Sequence, residues 1–465
     1  MRHRFLAVLG VVGLATAAWA VTAPVASAVP SATDAAPPAS DGFAPAEQLP
    51  TTTPIKHFMV LMQENHSFDN YFGNYPGADG LPDNTCMPVD PTGVTSTECV
   101  KPFHIGGQAV VDLGHSADVY QAEFNGGLMN GFISTFSKHR GAKNEAMGFY
   151  DDRDIPYYWN VADNYVLFDR LFTSAAGGSV WNHMFWVTGS PGNPDSDELL
   201  PGGFDHVPTI FDRLQAAGVS WKFYVQNYKP EITFRNLGSG DAGSQVIWVP
   251  PLNYNRFLDD PALHSRIVGM DQYYKDLHDG TLPAVSFMVP SGASEHPPGS
   301  IQSGERFVRG LINELMRSST WNSSAFMWTY DDWGGWYDHV VPPAVDQYGY
   351  GLRSPALLVS PYAKRGHVDH TTLDFTSELK FIENNWGVDP LAERDAKAND
   401  IRTAFDFSAP ARSPVLLDRS RTTPTLPNTR TTAVYVSYGA AASLLLLFVA
   451  LGLVHRRRAV GRAPA

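Results

Sequence analysis

Short apolar runs separated by stretches of helical spacing restrict most strongly what this 465-residue chain can fold into. "IKHFMVLM" (55–62), "WKFYVQ" (221–226), "AVSFMVP" (284–290), "SAFMWTY" (324–330) and "ALLVSPYA" (356–363) are mostly apolar without strict alternation. That is the pattern of strands buried on both faces of a sheet. Between them, "HVPTIFDRLQAAG" (206–218), "SGERFVRGLINELMRS" (303–318) and "LDFTSELKFIENNWG" (373–387) place apolar residues three and four apart. Helices that cover such a sheet need this spacing. Ser303, followed by Gly304 and Glu305, is expected to start the second of them. The alternation predicts an α/β fold with a mostly parallel central sheet flanked by helices. Ligands gather at the carboxyl ends of the strands in such sheets, so the residues that follow each apolar run matter most.

The two ends of the chain bear on its compartment. Residues 1–28 have a basic start, an apolar middle and the small-residue ending Ala26-Ser27-Ala28, the pattern of a cleaved signal peptide, with an uncleaved anchor as the alternative. Residues 29–53 are Ala/Pro/Ser-rich and are expected to be a disordered leader. The body is expected over 54–407, followed by a Pro/Thr-rich linker over 408–432. Residues 433–454, "AVYVSYGAAASLLLLFVALGLV", are uncharged and long enough for a C-terminal transmembrane helix. Arg456, Arg457, Arg458 and Arg462 lie in the 455–465 tail, which the positive-inside rule leaves in the cytoplasm with the body outside. "LPNTR" (426–430) is similar to a cell-wall sorting signal, with Arg430 where that signal has Gly, so cell-wall attachment is the alternative to a membrane anchor.

In an exported chain, Cys86 and Cys99 sit close together in a turn-rich segment, and a disulfide between them is expected, with a free pair as the alternative. The net charge of −13 and the absence of a Lys/Arg cluster ahead of the tail argue against a nucleic-acid partner.

"ENHS" follows the first apolar run, and "DD" follows "SAFMWTY". Glu64, Asn65, Asp331 and Asp332 would then share one edge of the sheet. Three carboxylates and a carboxamide form a hard-oxygen set for one or more divalent ions: Ca, Mg, Mn, Zn or Fe. Solvated surface acids are the plain alternative, but Trp328, Tyr330, Trp333, Trp336 and Tyr337 around the second pair disfavour it. Gly177-Gly178 precedes Ser179, which is expected at the N-terminus of a helix. There the dipole favours an alkoxide and backbone N–H groups can hold anionic oxygens; an ordinary N-cap serine is the alternative. His296 lies in a loop after the strand ending at Pro290, on the same sheet edge, where it could hold a phosphoryl oxygen or protonate a leaving group. His115 could do the same or be structural. His66, His183, His339 and His370 are assigned structural roles.

Taken together, "HFMVLMQENHSFDNYFG", "FNGGLMNGF", "EHPP" with "GERFVRGLINEL", and "YDDWGGWYDHV" resemble the bacterial phosphoesterase family of acid phosphatases and phospholipases C. That family belongs to the alkaline-phosphatase-like superfamily. The resemblance runs from about Ile55 to Trp386. It implies an alkaline-phosphatase-like fold, with Glu64, Asn65, Ser179, Asp331 and Asp332 as metal ligands, Ser179 also as nucleophile, and His115 and His296 near the phosphate. Phospholipase-type members carry a Thr with Pro-Asn-Arg shortly after; this chain reads Ser179-Val180-Trp181-Asn182-His183, which looks more like the acid phosphatase branch. The extra C-terminal β domains typical of secreted phospholipases have no counterpart in the sequence. The expected activity is hydrolysis of phosphate monoesters through a phosphoserine, with a phospholipid-cleaving phosphodiesterase as the alternative and a catalytically weak binding protein as a second.

Overall fold

A computed structural model describes residues 42–106, 110–137 and 144–417. Residues 1–41, 418–432 of the linker, the apolar span 433–454 and the tail 455–465 lie outside it, and so do the expectations placed on them. No helix among the described residues is long and apolar enough to cross a membrane.

Among the described residues eight strands form the main sheet: β1 (His57–Gln63), β2 (Val166–Phe168), β3 (Trp221–Val225), β4 (Ile267–Gly269), β5 (Val285–Val289), β6 (Ser324–Tyr330), β7 (Ala356–Val359) and β8 (His367–Asp369). Their spatial order is β8-β2-β7-β6-β1-β5-β3-β4. Every residue of β1, β5, β6 and β7 is buried, which is why these segments read as unbroken apolar runs. All neighbours are parallel except at β7, which runs antiparallel to β6 and to β2. Burial on both faces produces the same apolar run in either direction, so periodicity does not carry strand direction. The edge strands β4 and β8 escape the sequence pattern because they are three residues long and largely half-buried.

The helices that matter here are α1 (Phe68–Phe72), α2 (Pro156–Asn164), α3 (Ser179–Thr188), α4 (Ile210–Ala217), α5 (Ile301–Arg317) and α6 (Phe375–Trp386). In α4 a capping box of Thr209 with Asp212 satisfies the first free N–H groups, and Gly218 ends it at φ +68°. Helix α5 begins earlier than Ser303: Ser300 is its N-cap, and the Ser303 N–H donates back to Ser300 O. Its buried face includes Val308, Leu311, Ile312 and Leu315, the three-and-four spacing read from the sequence.

The ordered chain reaches past 54–407 at both ends. Ala46 and Leu49 are buried, and Thr53 Oγ1 donates to Asn385 Oδ1 at 2.7 Å. At the other end Trp321 Nε1 donates to Arg412 O, and Leu417 is buried. An Ala/Pro-rich composition hides these anchors because a single buried Leu or a backbone carbonyl is enough to hold such a strap. Cys86 and Cys99 form a disulfide with their Cα atoms 5.4 Å apart, beside a two-residue antiparallel pairing of Met87–Pro88 with Cys99–Val100.

Candidate active site

The three central strands place the site. β1 and β6 run parallel with Gln63 level with Tyr330, and β5 lies parallel on the other side of β1. Glu64 and Asn65, Asp331 and Asp332, and the 290–300 loop therefore leave the sheet at one edge. Asn65 adopts a left-handed φ of +65°, a conformation that Asn tolerates better than most residues. This turns its N–H toward Asp331 Oδ1 (3.1 Å) and its Nδ2 toward Asp332 Oδ1 (3.1 Å). Gly334 (φ +63°) lets the second motif cross the first, since a Cβ there would meet Asn65 O at 2.2 Å.

Glu64, Asn65, Asp331 and Asp332 are all buried. None of the three carboxylates pairs with Lys or Arg among the described residues; the imidazoles of His183 and His115 are the basic side chains beside them. Burial, reinforced by Asp331, holds the Glu64 and Asp332 carboxyls well above the ordinary carboxylate range. Among the described residues Glu64 Oε2, Asp331 Oδ2 and Asn65 Oδ1 have no hydrogen-bond partner. Buried oxygens left in this state are rare, and a divalent cation is the group that would satisfy several at once. The residues present thus fit the divalent ion that the sequence implies. Binding of a divalent ion by metal-free protein at neutral pH is expected to displace roughly one or two protons from these carboxyls. Calorimetric titration in two buffers of different ionisation enthalpy would measure the release, and heats independent of buffer would rule it out.

Ser179 is the first residue of α3 and its Oγ lies 3.4 Å from Asp332 Oδ2. Asn182 staples the turn ahead of it, accepting from Ala175 N–H and donating to Gly177 O and Gly178 O. The helix start is not open as the sequence suggests. Asp197, from the loop after α3, accepts from Gly178 N–H and Trp181 N–H, each at 2.6 Å. This leaves the Ser179 and Val180 N–H groups as the first-turn donors for an anionic oxygen. Gly178 is needed at this close approach, because a Cβ there would meet Asp197 Oδ2 at 2.8 Å.

The rings of His115 and His296 lie together, their centroids 5.7 Å apart. His115 Nδ1 lies 2.9 Å from Leu113 O and His296 Nδ1 lies 2.7 Å from Pro297 O. Since a carbonyl only accepts, each Nδ1 carries the hydrogen and each Nε2 is left for chemistry. His115 Nε2 is 4.0 Å from Asp332 Oδ2.

Three residues of the site are absent from the set read in the sequence. Asp197 sits in a turn-rich stretch with no motif around it. His183, assigned a structural role, has Nε2 3.1 Å from Glu64 Oε1 and 3.8 Å from Asp331 Oδ2; its signal was the departure from Asn-Arg at Asn182-His183. Glu295, next to His296, is buried and accepts from Tyr158 OH (2.5 Å), Tyr71 OH (2.5 Å), Tyr330 OH (2.9 Å) and Gln63 Nε2 (3.2 Å). Burial pushes its carboxyl up to about 8. The folded state thus binds this proton more tightly than the unfolded chain. The stability so gained is full below about pH 4.5 and is lost as the pH rises to about 8. In the metal-loaded protein, Glu295→Gln is expected to flatten the fall of the unfolding midpoint between about pH 5 and pH 8. Parallel midpoint curves for wild type and variant would contradict this.

Behind the site, Arg353 is buried and joins both motifs. It donates to Asp338 through Nε (2.9 Å) and Nη2 (3.1 Å), to Asp69 Oδ1 (3.1 Å), and to the carbonyls of Asp79 and Asp169. His339 Nδ1 lies 2.7 Å from Asp69 Oδ2. This second group of acids is thereby neutralised by protein cations, unlike the first.

Phospholipase C B of Mycobacterium tuberculosis is 30% identical over 420 residues, covering 77% of this chain and 79% of that protein. A non-hemolytic phospholipase C of Pseudomonas aeruginosa is 28% identical over 426 residues, 77% of this chain and 58% of that protein. A protein in the alkaline phosphatase superfamily from Vibrio parahaemolyticus has a similar structure over 49% of this chain and 59% of that one, with a TM-score of 0.31 and 14% identity. The family model described as Phosphoesterase family matches residues 55–389, from the start of β1 to just past α6. The chain therefore belongs to the phosphoesterase family, hydrolases that act on phosphoric ester bonds.

Proposed function

We propose that this protein is a metal-dependent phosphodiesterase of the phospholipase C kind. The observation that carries this reading is the likeness to phospholipases C across 77% of this chain. It reverses the preference for a monoesterase drawn from Ser179 and His183, two side chains that bear on the nucleophile and metal ligands rather than on the number of substituents at phosphorus. Glu64, Asn65, Ser179, Asp331 and Asp332 would hold the ion. When bound, it would neutralise negative charge on the serine and phosphoryl oxygens.

The chain's own groups account for the proton and bond changes. Asp332 Oδ2 takes the proton of Ser179 Oγ, which attacks phosphorus in line. The bond from phosphorus to the leaving alcohol oxygen breaks as that from Oγ to phosphorus forms. A protonated His296 Nε2 gives its proton to the leaving oxygen, while His115 and the Ser179 and Val180 N–H groups hold phosphoryl oxygens. Water then attacks the phosphorylated Ser179, giving a proton to His296, and Oγ leaves with the proton stored on Asp332. This returns the starting state.

Outward export and a C-terminal anchor over 433–454 belong to the same reading, with the 426–430 segment as an alternative route to the cell wall. They would bring the site to a lipid surface. The test is hydrolysis of phosphatidylcholine vesicles and para-nitrophenyl phosphorylcholine beside para-nitrophenyl phosphate. Release of phosphorylcholine with kcat/KM at least tenfold above that for the monoester is the expected result. Preference for the monoester would restore the acid phosphatase reading, and no turnover of either would favour a binding protein.

A further inference from the structure

We infer that His183 supplies a nitrogen ligand to the metal site, making it a site for a first-row transition ion rather than for Ca²⁺ or Mg²⁺. This rests on the metal-dependent reading above and deepens it. Four observations support it. The imidazole is fully buried between the two motifs, beside Glu64 and Asp331, and imidazole nitrogen is a common metal ligand. Donors bonded to one ion at 2.0–2.2 Å are about 3 Å apart when adjacent; His183 Nε2 is 3.1 Å from Glu64 Oε1 and 3.8 Å from Asp331 Oδ2. One donor atom from each of these three side chains lies within 4.8 Å of the other two. A hydrogen bond from His183 to Glu64 alone would leave Glu64 Oε2 and Asp331 Oδ2 buried without partners, whereas an ion beside Nε2 would satisfy both.

The helix explains how the nitrogen reaches this place. His183 lies four residues after Ser179 in α3, so the two stand on one helical face a turn apart. Trp186 packs near the imidazole, their ring centroids 6.0 Å apart. Among the described residues no group bonds Nδ1. A single imidazole in an otherwise all-oxygen set shifts preference from Ca²⁺ and Mg²⁺ toward Mn²⁺, Fe²⁺, Co²⁺ or Zn²⁺. The site would thus take a borderline ion while Glu64, Asn65, Asp331 and Asp332 keep it oxygen-rich.

The test reads metal binding without turnover. Metal-free full-length protein is equilibrated with an equimolar mixture of Ca²⁺, Mg²⁺, Mn²⁺, Co²⁺ and Zn²⁺, and the retained ions are counted by mass spectrometry. The Mn²⁺ form is examined by electron spin-echo modulation for directly bound imidazole ¹⁴N. Wild type is expected to retain a transition ion and show the ¹⁴N signal. His183→Gln is expected to lose that signal and at least roughly tenfold of its preference over Ca²⁺. A Mn²⁺ form with no imidazole ¹⁴N in wild type, or an unchanged preference in the variant, would overturn the inference. Failure to retain any divalent ion would instead overturn the metal-dependent reading itself. Should His183→Gln fail to fold, the wild-type ¹⁴N measurement decides alone.

Discussion

Replacing Ser179 by Ala is expected to lower kcat on a phosphodiester substrate by about 1,000-fold or more, while the chain folds and binds its metal. The size of the effect follows from the role: Oγ would be the atom that bonds to phosphorus. The small structural cost follows from the surroundings. The Ser179 side chain makes one 3.4 Å hydrogen bond, to Asp332, while Asn182 and Asp197 hold the turn and the first N–H groups of α3 without it. Stability is therefore expected to change by no more than about 0.5 kcal/mol. Stopped-flow measurement of the first turnover, beside a thermal scan, would check both halves. A variant that keeps more than a few per cent of wild-type kcat would remove Ser179 as the nucleophile. A variant that loses activity together with a large drop in unfolding temperature would leave its loss attributable to the fold.

Arg353→Met is expected to be among the most destabilising single changes available, costing about 3–5 kcal/mol. The guanidinium is buried with Asp69 and Asp338, reaches two backbone carbonyls, and stacks on Phe68 with its Cζ 4.6 Å from the ring centroid. Removing it leaves two carboxylates buried against each other, and burial already pushes Asp338 up to about 6 with the arginine in place. Methionine restores much of the volume, so the loss is electrostatic rather than a cavity. The midpoint of thermal unfolding should fall by roughly 4–6 °C, and adding Asp338→Asn should recover part of it. Equal midpoints for wild type and Arg353→Met would mean that water or protons neutralise the pair without the arginine.

Much of this arrangement could be read from the chain, and the limits have physical reasons. Strands whose two faces are both covered show as apolar runs, so β1, β3, β5, β6 and β7 were legible. The direction of β7 was not, because side-chain burial carries no sign along the strand. Metal-binding candidates were legible where chemistry is dense in sequence, as in "ENHS" and "YDD", and the parallel register of β1 and β6 places both at one edge. His115 and His296 were legible as candidates only through their loops, yet their rings meet. Asp197 and Glu295 were not, since each acts through partners distant in the chain: Gly178 and Trp181 for the first, three tyrosines and Gln63 for the second. A lone carboxylate in a loop has no signature until the fold supplies its donors.

On the proposed reading, the in-register ending of β1 and β6 would also govern when the protein can work during its own synthesis. The oxygen donors at Glu64 and Asn65 emerge early, but those at Asp331 and Asp332 come more than 260 residues later in the chain. The two halves meet only when β6 has added to β1. On the proposed reading, a nascent chain stopped before residue 332 would hold the candidate nucleophile of α3 without both acids of the second motif, and so without a complete ion site. Activity would then switch on as one late event, the pairing of these two strands.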